Sequence, residues 1–205
     1  MLGAGPLQVA AIKKARDLGF RVICADYDPD AVGFEFADQT EIISTLDAES
    51  IITLAKKEDV DFVITSTSDA PVRTASFVSE QLGLPVGISY ADSICATHKD
   101  AMRRRLAERN VPIPEFRVCN DADEFIDALN HFEYRCIVKP ADGAASRGVK
   151  LLDPSNRNED PKELFAQEMN FSRKGTLMVE QCIRGAEVSV EGITVNGKTH
   201  ILAIT

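Results

Sequence analysis

The sequence predicts an α/β protein: a parallel sheet flanked by helices over residues 1–88, then a mixed α+β part. Three observations carry this. Short apolar runs alternate with helix-period segments throughout the first 88 residues, the signature of a parallel sheet with helices on its faces. Val111-Pro112-Ile113-Pro114 is a stiff linker that separates the two parts. Beyond it, strand-like runs are joined by turn residues, including Asn196-Gly197, a strong hairpin signal.

In chain order, Gly3-Ala4-Gly5-Pro6 is a tight turn, and Leu7 to Leu18 has helical apolar spacing closed by Gly19. Arg21 to Ala25 reads as a buried strand ending at Asp26, and Glu41 to Ile43 as a short strand. Asp47 is placed to cap a helix through Lys57, with Ile51, Ile52, Leu54 and Ala55 inward. Asp61 to Ile64 is predicted as a further buried strand, followed by a polar loop, Thr65 to Asp69. Ala70 to Leu82 is helix, stopped by Gly83 and Pro85. The glycine turn starts at the third residue, leaving almost nothing of the strand that should precede it. That edge of the sheet is expected to be weakened, whether the chain was trimmed or its start was chosen downstream. Gly3-x-Gly5 with Asp26 also fits part of a dinucleotide fingerprint, but Gln8 stands in place of the third glycine. A tight turn before a helix accounts for it more simply.

Residues 89–113 read as a connector. Asp92-Ser93 starts a short helical turn, and Thr97 to Arg109 forms a second helix with Met102 and Leu106 on one face. Lys99 falls in that helix's first turn, where the dipole disfavours a cation unless an anion is near. In residues 114–205, Glu115 to Val118 is a strand and Asp121 to Leu129 a helix with Phe125, Ile126 and Leu129 inward. Pro161 opens a helix through Met169, and Thr176 to Glu180 is a strand that breaks at Gln181 to Gly185. Ala186 to Val195 is a long strand that turns at Asn196-Gly197 and pairs back through Thr199 to Ile204.

Between these lies the stretch that organises the second part. Cys136 to Val138 is an apolar run ending in Lys139-Pro140; Gly143, Ala144, Ala145, Ser146 and Gly148 form a loop with little side-chain bulk; Val149 to Leu152 is apolar again. Such a loop lets backbone N–H groups approach an anion, usually polyphosphate. It is no P-loop, because Val149-Lys150-Leu151 replaces Lys-Ser/Thr and Pro154 leaves no room for the helix. It reads either as a flap between two antiparallel strands or as a plain hairpin tip.

Composition narrows the functional classes. A formal net charge of −9 over 205 residues argues against nucleic acid or an anionic membrane as the bulk partner, yet leaves room for a local basic pocket. The five cysteines form no CxxC pair, which suits reduced thiols in a cytoplasm. His98, His131 and His200 lack metal-ligand spacing, and no signal peptide or membrane span is evident.

Taken in order, these motifs resemble the ATP-grasp superfamily, closest to its carbamoyl-phosphate-synthase-like and carboxylate–amine ligase members. The resembling residues are Leu2-Gly3-Ala4-Gly5, Ala37-Asp38, Lys99, Ile137-Val138-Lys139-Pro140, Asp142 to Gly148, Val179 to Ile183 and Gly185 to Ser189. The resemblance implies a Rossmann-like pre-ATP-grasp domain (1–88), connector helices and linker (89–113), and an ATP-grasp N-terminal subdomain with the start of the second subdomain (114–205), truncated at the C-terminus. It implies that Lys99 and Lys139 contact ATP phosphates, and that the loop with Gly143, Ser146 and Gly148 closes over them. By the same resemblance Glu180, Gln181, Cys182 and Ile183 form the hinge that reads adenine, and Glu187 accepts the ribose hydroxyls. The small carboxylate is expected near Ser68 and Asp69, at the carboxyl ends of the N-terminal strands. The implied reaction joins a carboxylate to an amine or ammonia through an acyl-phosphate, with ATP and Mg²⁺ as cofactors. Family members carry their metal carboxylates after the hinge, so catalytic residues and metal ligands are expected beyond Thr205, none in this chain. The chain alone is expected to be inactive, with a second copy or a missing C-terminal half as protein partner. The alternative is a non-catalytic nucleotide-binding or regulatory module.

Overall fold

The computed structural model describes residues 1–143 and 147–205. Its first part is built on two parallel strands, β1 (Ile23–Asp26) and β2 (Gln39–Ile42). Next to β1 runs the N-terminus itself. Leu2 bridges Ala25 on one side and Thr65 on the other, both in parallel. Helix α1 (Val9–Asp17) follows the glycine turn, α2 (Ala48–Lys57) follows β2, and α3 (Ala70–Leu82) follows the polar loop. Asp47 caps α2 by accepting from the Ser50 N–H at 3.1 Å, and Gly83 closes α3 in the left-handed conformation. Two apolar clusters result. Ala4, Ile12, Val22, Cys24 and Ala31 lie under α1, while Leu2, Ala25, Ile51, Ala55, Ala75 and Val78 lie under α2 and α3.

Two predictions for this part need correction. Asp61 to Ile64 is not a strand, because only Thr65 finds a ladder partner, and Phe62 and Ile64 are half exposed. The short turn at Asp92-Ser93 is instead a two-turn helix, α4 (Tyr90–Thr97), capped by Ser89. Helix α5 (Lys99–Glu108) follows at once.

The second part is a four-stranded antiparallel sheet of order β3 (Phe116–Cys119), β6 (Leu177–Gln181), β4 (Cys136–Pro140), β5 (Lys150–Leu152). Strand side chains alternate between faces. One face presents Cys119, Leu177, Val179, Cys136, Val138 and Leu152 to α6 (Ala122–His131) and α7 (Pro161–Met169), forming the largest core. The other carries Ile137, Lys139, Met178 and Glu180, since Ile137 pairs with Glu180 and Lys139 with Met178. The long strand expected from Ala186 begins only at Val190. β7 (Val190–Val195) and β8 (Lys198–Ile204) form a separate hairpin whose side chains are exposed on both faces. Among the described residues no helix is long and apolar enough to cross a membrane.

One close approach fixes the glycine turn in the first part. The Gly33 N–H donates to the Ala4 carbonyl at 2.6 Å, and a Cβ on Gly33 would lie 2.5 Å from that oxygen and 2.8 Å from Ile12 Cδ1. Gly33→Ala is therefore expected to destabilise the fold by about 2 kcal/mol. Urea unfolding followed by circular dichroism checks this; an unchanged midpoint contradicts it.

Candidate functional site

The predicted cations come together where the two parts of the chain meet. Lys99 opens α5, and its backbone N–H donates to the Ala141 carbonyl at 2.8 Å. Its ammonium donates to the Gly143 carbonyl. Lys139 projects from β4 on the sheet face opposite the large core and donates to Glu180 on β6. Both lysines line a cavity of about 250 Å³, together with Arg103 from the connector helix α5, Asp142, Gly143 and Arg173 from the second part, and Asp69 and Arg73 from the loop and helix of the first. Five cationic side chains and two carboxylates line it, with a third carboxylate, Glu180, paired behind Arg103 and Lys139. That is a local excess of positive charge in a chain of net charge −9. The arrangement suits a multivalent anion.

Glu180 is the buried hub of this wall, only 3% exposed. Arg103 donates Nε to Oε1 at 2.8 Å and Nη2 to Oε2 at 3.3 Å, while Lys139 binds Oε2. Burial alone would raise the Glu180 carboxyl; the bonds from Arg103 and Lys139 outweigh it and hold the group below the usual carboxylate range. The same crowding acts on Lys99. Burial first, then repulsion from Lys139, lowers its pKa. Lys99 therefore sits where an added anion would relieve both costs.

Asp142, just ahead of Gly143, is anchored to the turn before β6. Its carboxylate accepts from Ser172 Oγ at 2.8 Å and from the Arg173 and Lys174 N–H groups at 3.0 Å each. Lys174 in turn donates to Asp100 at 2.7 Å, tying α5 to the same turn. Gly148 closes the loop at φ +68°, where a Cβ would lie 2.7 Å from Phe171. Ser146 lies outside the described residues.

The structure separates the remaining predicted site residues. Gln181 ends β6, and its N–H donates to the Glu115 carbonyl at 2.9 Å. Cys182 and Ile183 leave the sheet at that point. Glu187 lies in the exposed run before β7, away from the cavity lining. Asp69 lines the cavity, but Ser68 does not: Gln8 Nε2 holds it at 3.3 Å while also donating to Thr67 Oγ1 and the Ser66 carbonyl at 2.7 Å each. Gln8, which the sequence presents only as a missing glycine, thus ties the first helix to the 66–68 loop. Arg73, Arg103 and Arg173 are cavity residues that the sequence reading misses. One signal exists for Arg103: it follows Lys99 at i+4 on a helix, a like-charge pair that is unfavourable without an anion between.

Comparison with known proteins bears on the fold. Residues 132–205 match the family model described as ATP-grasp domain. The chain is 25% identical over 181 residues to a formate-dependent phosphoribosylglycinamide formyltransferase of Hydrogenovibrio crunogenus, covering 88% of this chain and 46% of that one. Its structure resembles N5-carboxyaminoimidazole ribonucleotide synthetase from Thermotoga maritima, with a TM-score of 0.75 at 18% identity, covering 99% of this chain and 51% of the other. It also resembles an L-amino acid ligase from Bacillus licheniformis, with a TM-score of 0.71 at 19% identity, over 99% and 48% respectively. The chain spans about half the length of the relatives it matches. It thus shares the fold of these structures, a Rossmann-like part leading into the first part of an ATP-grasp domain, and residues 132–205 match the ATP-grasp domain model by sequence.

Proposed function

We propose that this chain is the ATP-binding portion of a carboxylate–amine ligase. The observation that carries the reading is the convergence of Lys99, Arg103 and Lys139 on one wall of a cavity beside Gly143. In this reading residues 1–88 form the Rossmann-like domain, 89–113 the connector and 114–205 the ATP-grasp part. Lys99 and Lys139 take the nucleotide phosphates as point cations, and the segment with Gly143, Ser146 and Gly148 lies over them. Gln181, Cys182 and Ile183 offer backbone groups to the adenine edge beside Glu180, and Glu187 reaches the ribose when its segment folds inward. Ser68 and Asp69 face the carboxylate substrate.

The proposed chemistry has two steps. A carboxylate oxygen attacks the γ-phosphorus, the bond to the bridging oxygen breaks, and acyl-phosphate and ADP result. An amine or ammonia then attacks the acyl carbon and expels inorganic phosphate. This chain's part is to bind and orient ATP and to offset charge on its phosphates, the larger share of catalysis in phosphoryl transfer. Mg²⁺ would supply further charge neutralisation, but among the described residues no cluster of three or more His, Cys, Asp or Glu side chains could hold a metal. We assign the phosphoryl-transfer groups to the half of the relatives' length that this chain does not span, and the setting to the cytoplasm, with a second copy or that other half as protein partner.

Two outcomes test the reading. Lys99→Ala and Lys139→Ala are each expected to weaken ATP binding by roughly tenfold to a hundredfold, the effect of losing one charge-assisted contact. Calorimetric titration of ATP with the full-length parent decides, and wild-type affinity in both variants overturns the site. Glu180→Gln should destabilise the fold by about 3 kcal/mol near neutral pH, because Lys139 and Arg103 lose their buried counter-charge. The sign with pH follows from a lowered carboxyl pKa. The stabilisation from Glu180 is fully present above its unfolded-state pKa of about 4.3 and fades as pH falls through the lower folded value. Denaturant midpoints of the two proteins should therefore converge as pH drops below about 4; a constant gap down to pH 2 contradicts the ion-pair account.

A further inference from the structure

The first part of the chain contributes two charged side chains to the cationic cavity, Asp69 and Arg73. The proposed phosphate contacts use neither. They stand four residues apart where α3 begins, so they project from one side of its first turn. An aspartate followed by an arginine at this spacing ordinarily closes into an ion pair. Asp100 and Arg104 do so on α5, at 3.6 Å. Asp69 and Arg73, in the same order and at the same spacing, form no ion pair with each other among the described residues.

Each charge is instead kept available. Asp69 occupies the N-cap of α3 but accepts no capping hydrogen bond, the usual use of an aspartate there. Arg73 donates Nη1 to Thr97 Oγ1 at 2.9 Å, and Thr97 Oγ1 donates to the Ser93 carbonyl at 2.8 Å. That chain of bonds fixes the guanidinium against α4 and leaves its other N–H groups without a hydrogen-bond partner among the described residues. The backbone leading into Asp69 is fixed as well. Thr67 sits at φ +60°, a left-handed conformation that is strained for a β-branched residue. Gln8 holds it there through the bonds to Ser66, Thr67 and Ser68. Strain of this kind persists where neighbours over-determine it, typically beside a ligand.

We propose that Asp69 and Arg73 form the acyl-donor subsite of this cavity and that its occupant is a small α-amino acid, with the ammonium on Asp69 and the carboxylate on Arg73. The assignment rests on the ATP-binding reading above and names the substrate class of that same site. A carboxylate in a polyphosphate site repels the nucleotide unless a cationic group accompanies it. Asp69 is near enough to Lys99 to oppose the lowering of its pKa, so an ammonium there lies beside the proposed phosphate contacts. The two residues are separated by about 6 Å along the helix axis. That favours a ligand with both charges on one carbon over one with a long spacer between them.

The pairing also decides which reactant the amino acid is. An ammonium held by Asp69 keeps its proton and has no lone pair with which to attack. The amino acid therefore enters as the acyl donor. Arg73 has one nitrogen committed to Thr97, so it can hold one carboxylate oxygen and leave the other free. That oxygen attacks the γ-phosphorus of ATP, the bond to the bridging oxygen breaks, and ADP leaves an aminoacyl-phosphate behind. A second, neutral amine attacks the acyl carbon, phosphate departs with the C–O bonding pair, and the surplus proton of the amine passes to solvent.

Hydroxylamine intercepts an acyl-phosphate as a hydroxamate, so the test requires no knowledge of the acceptor. The full-length parent, with ATP and Mg²⁺, is given the common α-amino acids, glycolate and L-lactate, which lack the ammonium, and ethylamine, which lacks the carboxylate. At least one amino acid should yield hydroxamate at a rate about tenfold or more above that of its α-hydroxy acid. Asp69→Asn and Arg73→Gln should each raise the KM for that amino acid by about tenfold. Calorimetric ATP affinity should stay within about twofold of wild type in both, and Asp69→Asn should also bring the α-hydroxy acid close to parity. The comparison of substrates uses the wild-type protein, so it stands even where a variant misfolds. Turnover of the α-hydroxy acids at or above the rate of the amino acids overturns the inference. So does the absence of hydroxamate from every amino acid in a parent that binds ATP. Failure of that parent to bind ATP overturns the ATP-site reading itself, and this inference with it.

Discussion

A carboxylate buried to the depth of Glu180 stays charged only when its partners compensate for lost water. Arg103 comes from a connector helix and Lys139 from the neighbouring strand, so one side chain joins three elements of different origin in the sequence. This constraint sets the orientation of the whole cationic wall. α5 must lie across the open face of the four-stranded sheet, not beside it, for Arg103 to reach β6. Lys99, one turn earlier on the same helix, is then delivered to the loop after β4. A lone lysine pointing into a cleft would be free to wander, whereas these two are held at a fixed spacing by the groups between them.

The second tie is polar as well. Asp142 gathers the turn at Ser172 to Lys174 with three hydrogen bonds, and Lys174 crosses to the buried Asp100. The loop's first residues are therefore anchored through β4, the turn before β6 and α5 together. In the first part the equivalent anchor is Gln8, whose single amide nitrogen reaches three acceptors in the 66–68 loop. Each part of the chain thus uses a single polar side chain to hold a segment adjoining the cavity.

Much of this is legible in the residues because it is local. Ala70–Leu82 and Pro161–Met169 can be read to the residue, since a cap or proline opens each and a glycine or polar turn ends it. The antiparallel pairing of the runs flanking the small-residue loop also follows from their pattern. What fails depends on partners far away. Asp61 to Ile64 has the composition of a buried strand, but a strand exists only when something pairs with it. The run from Ala186 to Val188 likewise has a strand-like pattern but lies outside the hairpin, whose pairing starts where Ser189 and Thr205 exchange backbone bonds at 2.7 and 3.0 Å. Arg73, Arg103 and Arg173 lie on separate elements, and nothing in their spacing announces that they share a cavity with Lys99 and Lys139. Glu180 stands out in the sequence for the break that follows it, while its role as counter-ion comes from the fold.

The opposition between a cationic cavity and an acidic chain has a kinetic side. At long range a polyphosphate meets the field of a molecule with nine excess negative charges. Within the cavity it meets five cations against two acids. Salt screens the two unequally, because the Debye length is about 10 Å at 0.1 M and shielded groups are screened less than exposed ones. Added salt therefore weakens the outer repulsion first and the inner attraction later. On the proposed reading, capture of a polyphosphate is expected to rise and then fall as ionic strength increases, in contrast to the steady decline expected of a uniformly basic surface.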